Sequence, residues 1–182
     1  RLGVAGGVVI SASHNPVADN GIKFFGPDGL KLSDELEDGI EYYAFSGYDE
    51  IDSPVGGALG RIIRPPDLEE AYIEFLKGNS PPDLTGLKVV VDCANGAAYR
   101  VVPRFFTELG AQVIAIHAEP DGTNINENCG AVYPQDLQKA VCQSGAHVGL
   151  AFDGDADRVI AVDERGDIVD GDCIMVVIGC HW

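Results

Sequence analysis

Apolar and polar positions fall in blocks along this chain, and each block has the length of one secondary element. Val8–Ile10 reads as a buried strand that runs into a polar stretch, Ser11–Pro16. Asp19-Asn20-Gly21 is a strong turn signal, Ile22–Phe25 resumes an extended apolar run, and Pro27-Asp28-Gly29 turns the chain again. Asp34 and Glu37 have capping-box spacing for a helix with Leu36, Ile40 and Tyr43 on one face, weakened by Gly39. Residues 46–66 are rich in Gly, Ser, Pro and Asp, end in Pro65-Pro66, and read as a linker. Asp67 and Glu70 repeat the capping spacing before a helix carrying Leu68, Tyr72, Phe75 and Leu76.

Beyond this point the blocks alternate regularly. Lys88–Cys93 is a strand, a helix follows over about 100–109, and Val113–His117 is the next strand. A helix over about 134–144 then ends at Gly145, and Val148–Phe152 is a third strand. Each strand is a continuous apolar run, as expected where both faces of a parallel sheet are covered. The βαβαβ order predicts an α/β fold with a doubly wound, mixed or parallel sheet. Ligand sites in such sheets gather beyond the carboxyl ends of the strands. Three loops hold that position: Ser13 after Val8–Ser11, Asn95-Gly96 after Lys88–Cys93, and Asp153–Asp157 after Val148–Phe152.

Composition narrows the function classes. The net charge of −17, from 29 acids against 12 bases, disfavours a nucleic-acid or anionic-membrane surface. An anionic substrate would need a local basic cluster. No apolar run reaches the roughly 20 residues of a membrane helix and no signal segment opens the chain, so a cytoplasmic location is expected. The five cysteines form no CxxC pair and read as reduced thiols, with core packing the expectation for Cys93, Cys142 and Cys173. The chain starts at Arg1 directly before a strand, and Ile174–Ile178 begins an element close to the other end; a piece of a longer protein is the expectation.

Two polar loops carry the chemistry. Asp153, Asp155 and Asp157 alternate with the small residues Gly154 and Ala156, so their carboxylates can converge on one hard cation such as Mg²⁺. Arg158 follows, placed to reach a phosphoryl oxygen beside that metal. The competing readings are a solvated acidic turn, or a calcium loop with Asp153, Asp155, Asp157 and Glu164 at positions one, three, five and twelve. The calcium pattern needs Gly where Arg158 stands, and helical flanks where the chain reads as strands. In the other loop Ser13 is a hydroxyl beside His14, with Asn15-Pro16 setting a turn and Lys23 shortly after as a cation for acid/base or phosphate work. Neither a Gly-x-Ser-x-Gly elbow nor a Gly-x-x-x-x-Gly-Lys loop occurs, which disfavours a hydrolase of the elbow type and P-loop phosphoryl transfer.

Taken together these motifs resemble the α-D-phosphohexomutases. Ser11–Pro16 matches that family's phosphoserine loop, (Thr/Ser)-Ala-Ser-His-Asn-Pro, and Asp153–Arg158 matches its metal loop, Asp-Gly-Asp-x-Asp-Arg. Ser at position 11, Asp19–Phe25, Val91–Ala97 and Glu119–Asn126 are similar to the phosphoglucosamine mutase group.

The resemblance implies a mutase that interconverts glucosamine 6-phosphate and glucosamine 1-phosphate through a sugar 1,6-bisphosphate. Phosphorylated Ser13 would be the donor, and Asp153, Asp155 and Asp157 with a phosphoserine oxygen would hold Mg²⁺. His14, Lys23 and Arg158 match family positions near the reacting groups. It further implies that residues 1–62 are the later part of domain 1, 63–168 are domain 2, and 169–182 begin domain 3. The family's sugar-recognition motif, Gly-Glu-x-Ser-Gly-His, does not occur. Phosphoglucomutase or phosphomannomutase activity, and a non-catalytic divalent-metal-binding fragment, remain the alternatives. Oligomeric state is not legible.

Overall fold

The computed structural model describes residues 3–46, 52–79 and 83–181. The chain divides into two units. One draws on the chain up to Ile10 and on Gly21–Pro66; the other draws on Ser11–Asn20 and on the chain from Asp67 onward.

In the first unit β1 (Gly7–Ser11) pairs with β2 (Gly21–Phe25), and α1 (Asp34–Phe45) follows. The strand at Val8–Ile10 forms where expected but is not buried: Val8 is 60% and Ile10 73% exposed. The capping box at Asp34 also fails. The N-cap is Ser33, without a side-chain cap bond, and Glu37 pairs instead with Lys31 at 3.1 Å. On the expected face of α1 only Ile40 is half-buried, while Leu36 and Tyr43 are exposed. The predicted linker falls partly on residues 47–51, outside the described residues.

The second unit contains a five-stranded mixed sheet. Its strands are β3 (Lys88–Asp92), β4 (Gln112–Ile116), β5 (Val148–Phe152), β6 (Val159–Asp163) and β7 (Ile168–Val169), in the order β4-β3-β5-β6-β7. β3 runs parallel to β4 and to β5, whereas β6 and β7 continue the sheet antiparallel. The parallel part is linked by α3 (Ala98–Glu108) and α4 (Gln135–Ser144), close to the helices the periodicity predicts. α2 (Leu68–Lys77) precedes β3, and α5 (Gly171–His181) follows β7. Among the described residues no helix is long and apolar enough to cross a membrane.

Successive strand residues face opposite sides of a sheet, so one strand can feed two cores. β3 does this. Val90 packs with Leu137, Val141, Ala151 and Val162 on the α4 side, while Val89 and Val91 pack with Cys93, Ala98 and Ala111 on the α3 side. Cys93 is buried as expected, and burial, with the Asp92 charge adding, pushes its thiol up to about 12. Cys142 and Cys173 are exposed, contrary to expectation. Val141 is the neighbour that faces the sheet, so Cys142, one position on, points away from it.

The expected apolar face of α2 is likewise rotated. Ile73 is the fully buried residue, and Leu68, Tyr72 and Phe75 are exposed. Ion pairs to α3 accompany that rotation: Glu69 with Arg100 at 3.0 Å, Glu70 with Arg104, and Lys77 with Glu108 at 3.1 Å. Asp67 does occupy the N-cap of α2, but in the left-handed region (φ 63°) and without a side-chain cap bond.

α4 sits close against β5 because position 149 has no side chain. A methyl built on Gly149 would meet Val141 Cγ2 at 2.6 Å and Leu137 Cδ1 at 2.8 Å. Leu137→Ala is expected to cost about 2–5 kcal/mol, and Gly149→Ala about 1–3 kcal/mol. The double variant is expected to lose less than the sum, because the new methyl enters the space the leucine leaves. Chemical denaturation of the four proteins measures this coupling.

Candidate functional site

The loop between β5 and β6 is a hairpin turn, closed by the pair Phe152–Val159, and all three aspartates of the acidic motif lie in it. One carboxylate oxygen from each of Asp153, Asp155 and Asp157 lies within 4.8 Å of the others. The flanks are strands and Glu164 lies beyond β6, so the helix–loop–helix setting of the calcium motif is absent among the described residues. The turn bends at Ala156, whose φ of 61° places a side chain in the left-handed region where glycine is at ease.

Asp153 is the buried anchor of this turn. It is fully buried; its Oδ1 accepts from the Arg158 amide at 3.1 Å, and its main-chain oxygen accepts from Ala156 at 3.0 Å. Oδ2 is also buried, and among the described residues no donor reaches it. Desolvation raises the Asp153 pKa. The Arg158 amide opposes that rise, and the charges of Asp155 and Asp157 add to it. Such a carboxylate calls for a cation. One carboxylate oxygen from each of Asp153, Asp155 and Asp157 makes a set of three hard oxygen donors, one of them desolvated, and this set fits a divalent cation such as Mg²⁺. Arg158 meets the cluster mainly through its backbone. Its guanidinium lies 3.8 Å from Asp157 with more than half of the side chain exposed.

The serine loop docks on this turn. Ser11 Oγ donates to Asp155 Oδ2 at 3.2 Å and accepts from the Ser13 amide at 2.8 Å, so one hydroxyl joins the two loops. Ser13 itself has φ 52°, and its Oγ lies 3.4 Å from His14 Nδ1: the two adjacent side chains converge. Asn126 Nδ2 donates to the main-chain oxygens of Ser13 and Asn15, each at 2.8 Å. Gly154 makes the docking possible, since a methyl there would stand 2.4 Å from the Ser13 oxygen and 2.7 Å from Asn126 Nδ2. The Asn95-Gly96 loop closes the other side, with the Ala97 amide donating to the Gly154 oxygen at 2.8 Å and the Asn126 amide donating to the Ala94 oxygen at 2.9 Å.

The second unit thus brings together Ser13, His14, Asp153, Asp155, Asp157 and Arg158. Lys23 is exposed on β2 and belongs to the first unit. Two residues of this arrangement were assigned no role from sequence: Ser11, which reads as a motif position, and Asn126, which lies in the Glu119–Asn126 stretch. The only signal for Asn126 is its place in that stretch, where a residue with φ 57° and a fixed amide grips another loop.

Because the Asp153 pKa is raised, the folded state binds its proton more tightly than the unfolded chain does. Without divalent ions, stability therefore falls as pH rises from the ordinary carboxylate range through the raised value, and the penalty stays constant above it. Mg²⁺ at about a hundred times its Kd is expected to add about 2.7 kcal/mol at neutral pH, a gain that fades in acid. Asp153→Asn is expected to remove both the pH dependence and the Mg²⁺ response. Thermal denaturation over pH with and without Mg²⁺ checks this.

Known proteins resemble this chain over nearly all of its length. The family model for phosphoglucomutase/phosphomannomutase α/β/α domain II matches residues 70–166, and that for domain I matches residues 1–50. A phosphoglucosamine mutase from Desulforamulus reducens is 57% identical over 181 residues, covering 100% of this chain and 41% of the relative. One from Desulforudis audaxviator is 56% identical over 176 residues, covering 97% and 39%. The crystal structure of a putative phosphomannomutase from Thermus thermophilus superposes with a TM-score of 0.77 at 25% identity, covering 99% of this chain and 41% of that one. The chain spans about two fifths of the length of the curated relatives it matches. With both of its folded regions matched in order, the chain belongs to the phosphoglucomutase/phosphomannomutase family.

Proposed function

We propose that this chain carries the phosphoserine and metal-binding portion of a phosphoglucosamine mutase. The observation that carries the reading is the Ser11 hydroxyl, which ties the serine loop to the carboxylate turn within one hydrogen bond of each. A hydroxyl nucleophile and a divalent-cation cradle held this way suit phosphoryl transfer better than an isolated metal site.

In this reading Ser13 Oγ carries a phosphoryl group. A sugar hydroxyl attacks the phosphorus, the bond from phosphorus to Ser13 Oγ breaks, and a sugar 1,6-bisphosphate forms. The bisphosphate then returns its other phosphoryl group to Ser13, which completes the exchange between the 6- and 1-phosphates of glucosamine. Bound Mg²⁺, held by Asp153, Asp155 and Asp157, supplies charge stabilisation for the transferring group. His14, at 3.4 Å from Ser13 Oγ, holds or gives up a proton at that oxygen. Lys23 serves the sugar hydroxyl or its phosphate, and Arg158 neutralises phosphoryl charge beside the turn.

The specificity for glucosamine is supported by the relatives at 57% and 56% identity, both phosphoglucosamine mutases. Phosphomannomutase or phosphoglucomutase activity is the second reading, favoured by the likeness to the Thermus phosphomannomutase structure. By the same likeness residues 1–62, 63–168 and 169–182 take the places of domain 1, domain 2 and the opening of domain 3, and the setting is cytoplasmic.

The test is phosphopeptide mapping and turnover of the full-length enzyme. Phosphate is expected on the peptide containing Ser13. Ser13→Ala is expected to lower kcat by about 10⁴-fold or more, the order lost when a covalent nucleophile is removed. Asp155→Asn is expected to lower it by about 10²-fold or more. Retained turnover in Ser13→Ala would overturn the assignment, and a preference for mannose or glucose phosphates would select the second reading.

A further inference from the structure

A second group of ligand-type side chains lies at the carboxyl edge of the sheet, outside the phosphoryl-transfer machinery. Asp92 ends β3, His117 follows the last residue of β4, and Cys129 lies in the loop that precedes α4. One oxygen of Asp92, one ring nitrogen of His117 and the Cys129 sulfur all lie within 4.8 Å of one another. Asp92 and Cys129 are at most 1% exposed, while the His117 side chain is 26% exposed and opens a route from solvent.

Asp92 accepts the Ala94 amide on Oδ1 and the Gly130 amide on Oδ2, each at 3.0 Å, so backbone amides hold the carboxylate in place and each oxygen keeps a lone pair. His117 Nδ1 lies 3.1 Å from that Oδ2, yet it is buried and makes no well-aligned hydrogen bond. On the other edge of the ring, Nε2 lies 3.7 Å from Asp136 Oδ2, beyond direct hydrogen-bond reach. A buried ring nitrogen without a hydrogen-bond partner thus faces a buried carboxylate, and a cation bound by both would pair them.

We propose that Asp92, His117 and Cys129 form a site for a thiophilic divalent cation of the zinc class, with the fourth position open to water. Imidazole, thiolate and carboxylate are the donor set such an ion takes, and magnesium does not favour thiolate. Burial and the Asp92 charge push the Cys129 thiol up to about 12 when no cation is near. Binding therefore displaces that proton, which leaves to solvent as the sulfur–metal bond forms. With the ion on Nδ1 the ring proton sits on Nε2, the edge that Asp136 faces, so this carboxylate would orient the imidazole in the occupied site. The site stands apart from the mutase reading, because none of its ligands belongs to the serine loop or the aspartate turn. It does bear on the same framework: Cys129 is three residues from Asn126, which grips the serine loop.

Titration with Co²⁺ in saturating Mg²⁺ tests the proposal, followed by back-titration with Zn²⁺. One equivalent of Co²⁺ is expected to give a thiolate-to-cobalt charge-transfer band, and Zn²⁺ is expected to abolish it. Cys129→Ser is expected to remove the band and Asp136→Asn to weaken binding by about 10–100-fold. A variant with Cys142, Cys173 and Cys180 all changed to Ser, positions exposed in the fold, is expected to keep the band. So is Asp155→Asn, which separates this site from the magnesium turn and from any failure of the mutase reading. A band absent from the parent protein, or lost with the three exposed cysteines, overturns the proposal.

Discussion

A desolvated carboxylate without its own counter-charge is the constraint around which this site is built. Asp153 stands at the end of β5 with one oxygen held by a main-chain amide and the other facing no donor among the described residues. Placing such a group in a protein interior is unfavourable, and the neighbouring acids in the turn increase the cost. The compensation is geometric. The turn is tight, the acids converge, and the Ser11 hydroxyl comes in from a distant part of the chain to share in solvating one of them.

The parallel strands explain why such distant parts meet. β3, β4 and β5 all point their carboxyl ends the same way, so the loops after them form one surface. Asn95-Gly96, Asn126 and Asp153–Asp157 all lie there, and the serine loop docks among them. The approach is close enough that side chains are excluded. A methyl on Gly96 would stand 2.3 Å from the Gly154 oxygen, and one on Gly154 would strike the serine loop. Small residues in these loops are thus a requirement of backbone-to-backbone contact rather than of chain flexibility.

Much of this architecture was legible along the chain because the sheet's signals are local. Apolar runs such as Lys88–Cys93 and Val148–Phe152 mark strands directly, and the two polar motifs stand out as loops after them. What escaped depends on partners far away in sequence. α2 buries Ile73 rather than the face read from its periodicity, and its Glu69, Glu70 and Lys77 pair with α3. Glu37 shows the same competition on a smaller scale, preferring Lys31 to the helix end. Cys142 was misplaced since an apolar neighbourhood in sequence says nothing about which side of a helix faces the sheet. Ser11 and Asn126 were visible as residues, but their work consists of hydrogen bonds across more than a hundred positions, which no local pattern encodes.

The hairpin that carries the aspartates has a kinetic consequence. Adjacent antiparallel strands close a loop of this length in microseconds, and closing a short loop costs little entropy. The acidic turn is therefore a local object, able to assemble as soon as β5 and β6 pair. The serine loop has to travel from the opposite end of the chain, and its docking is a high-contact-order event. The order of assembly that follows is acidic turn first and serine loop last, so Ser13 reaches its place only when the rest of the sheet edge already exists.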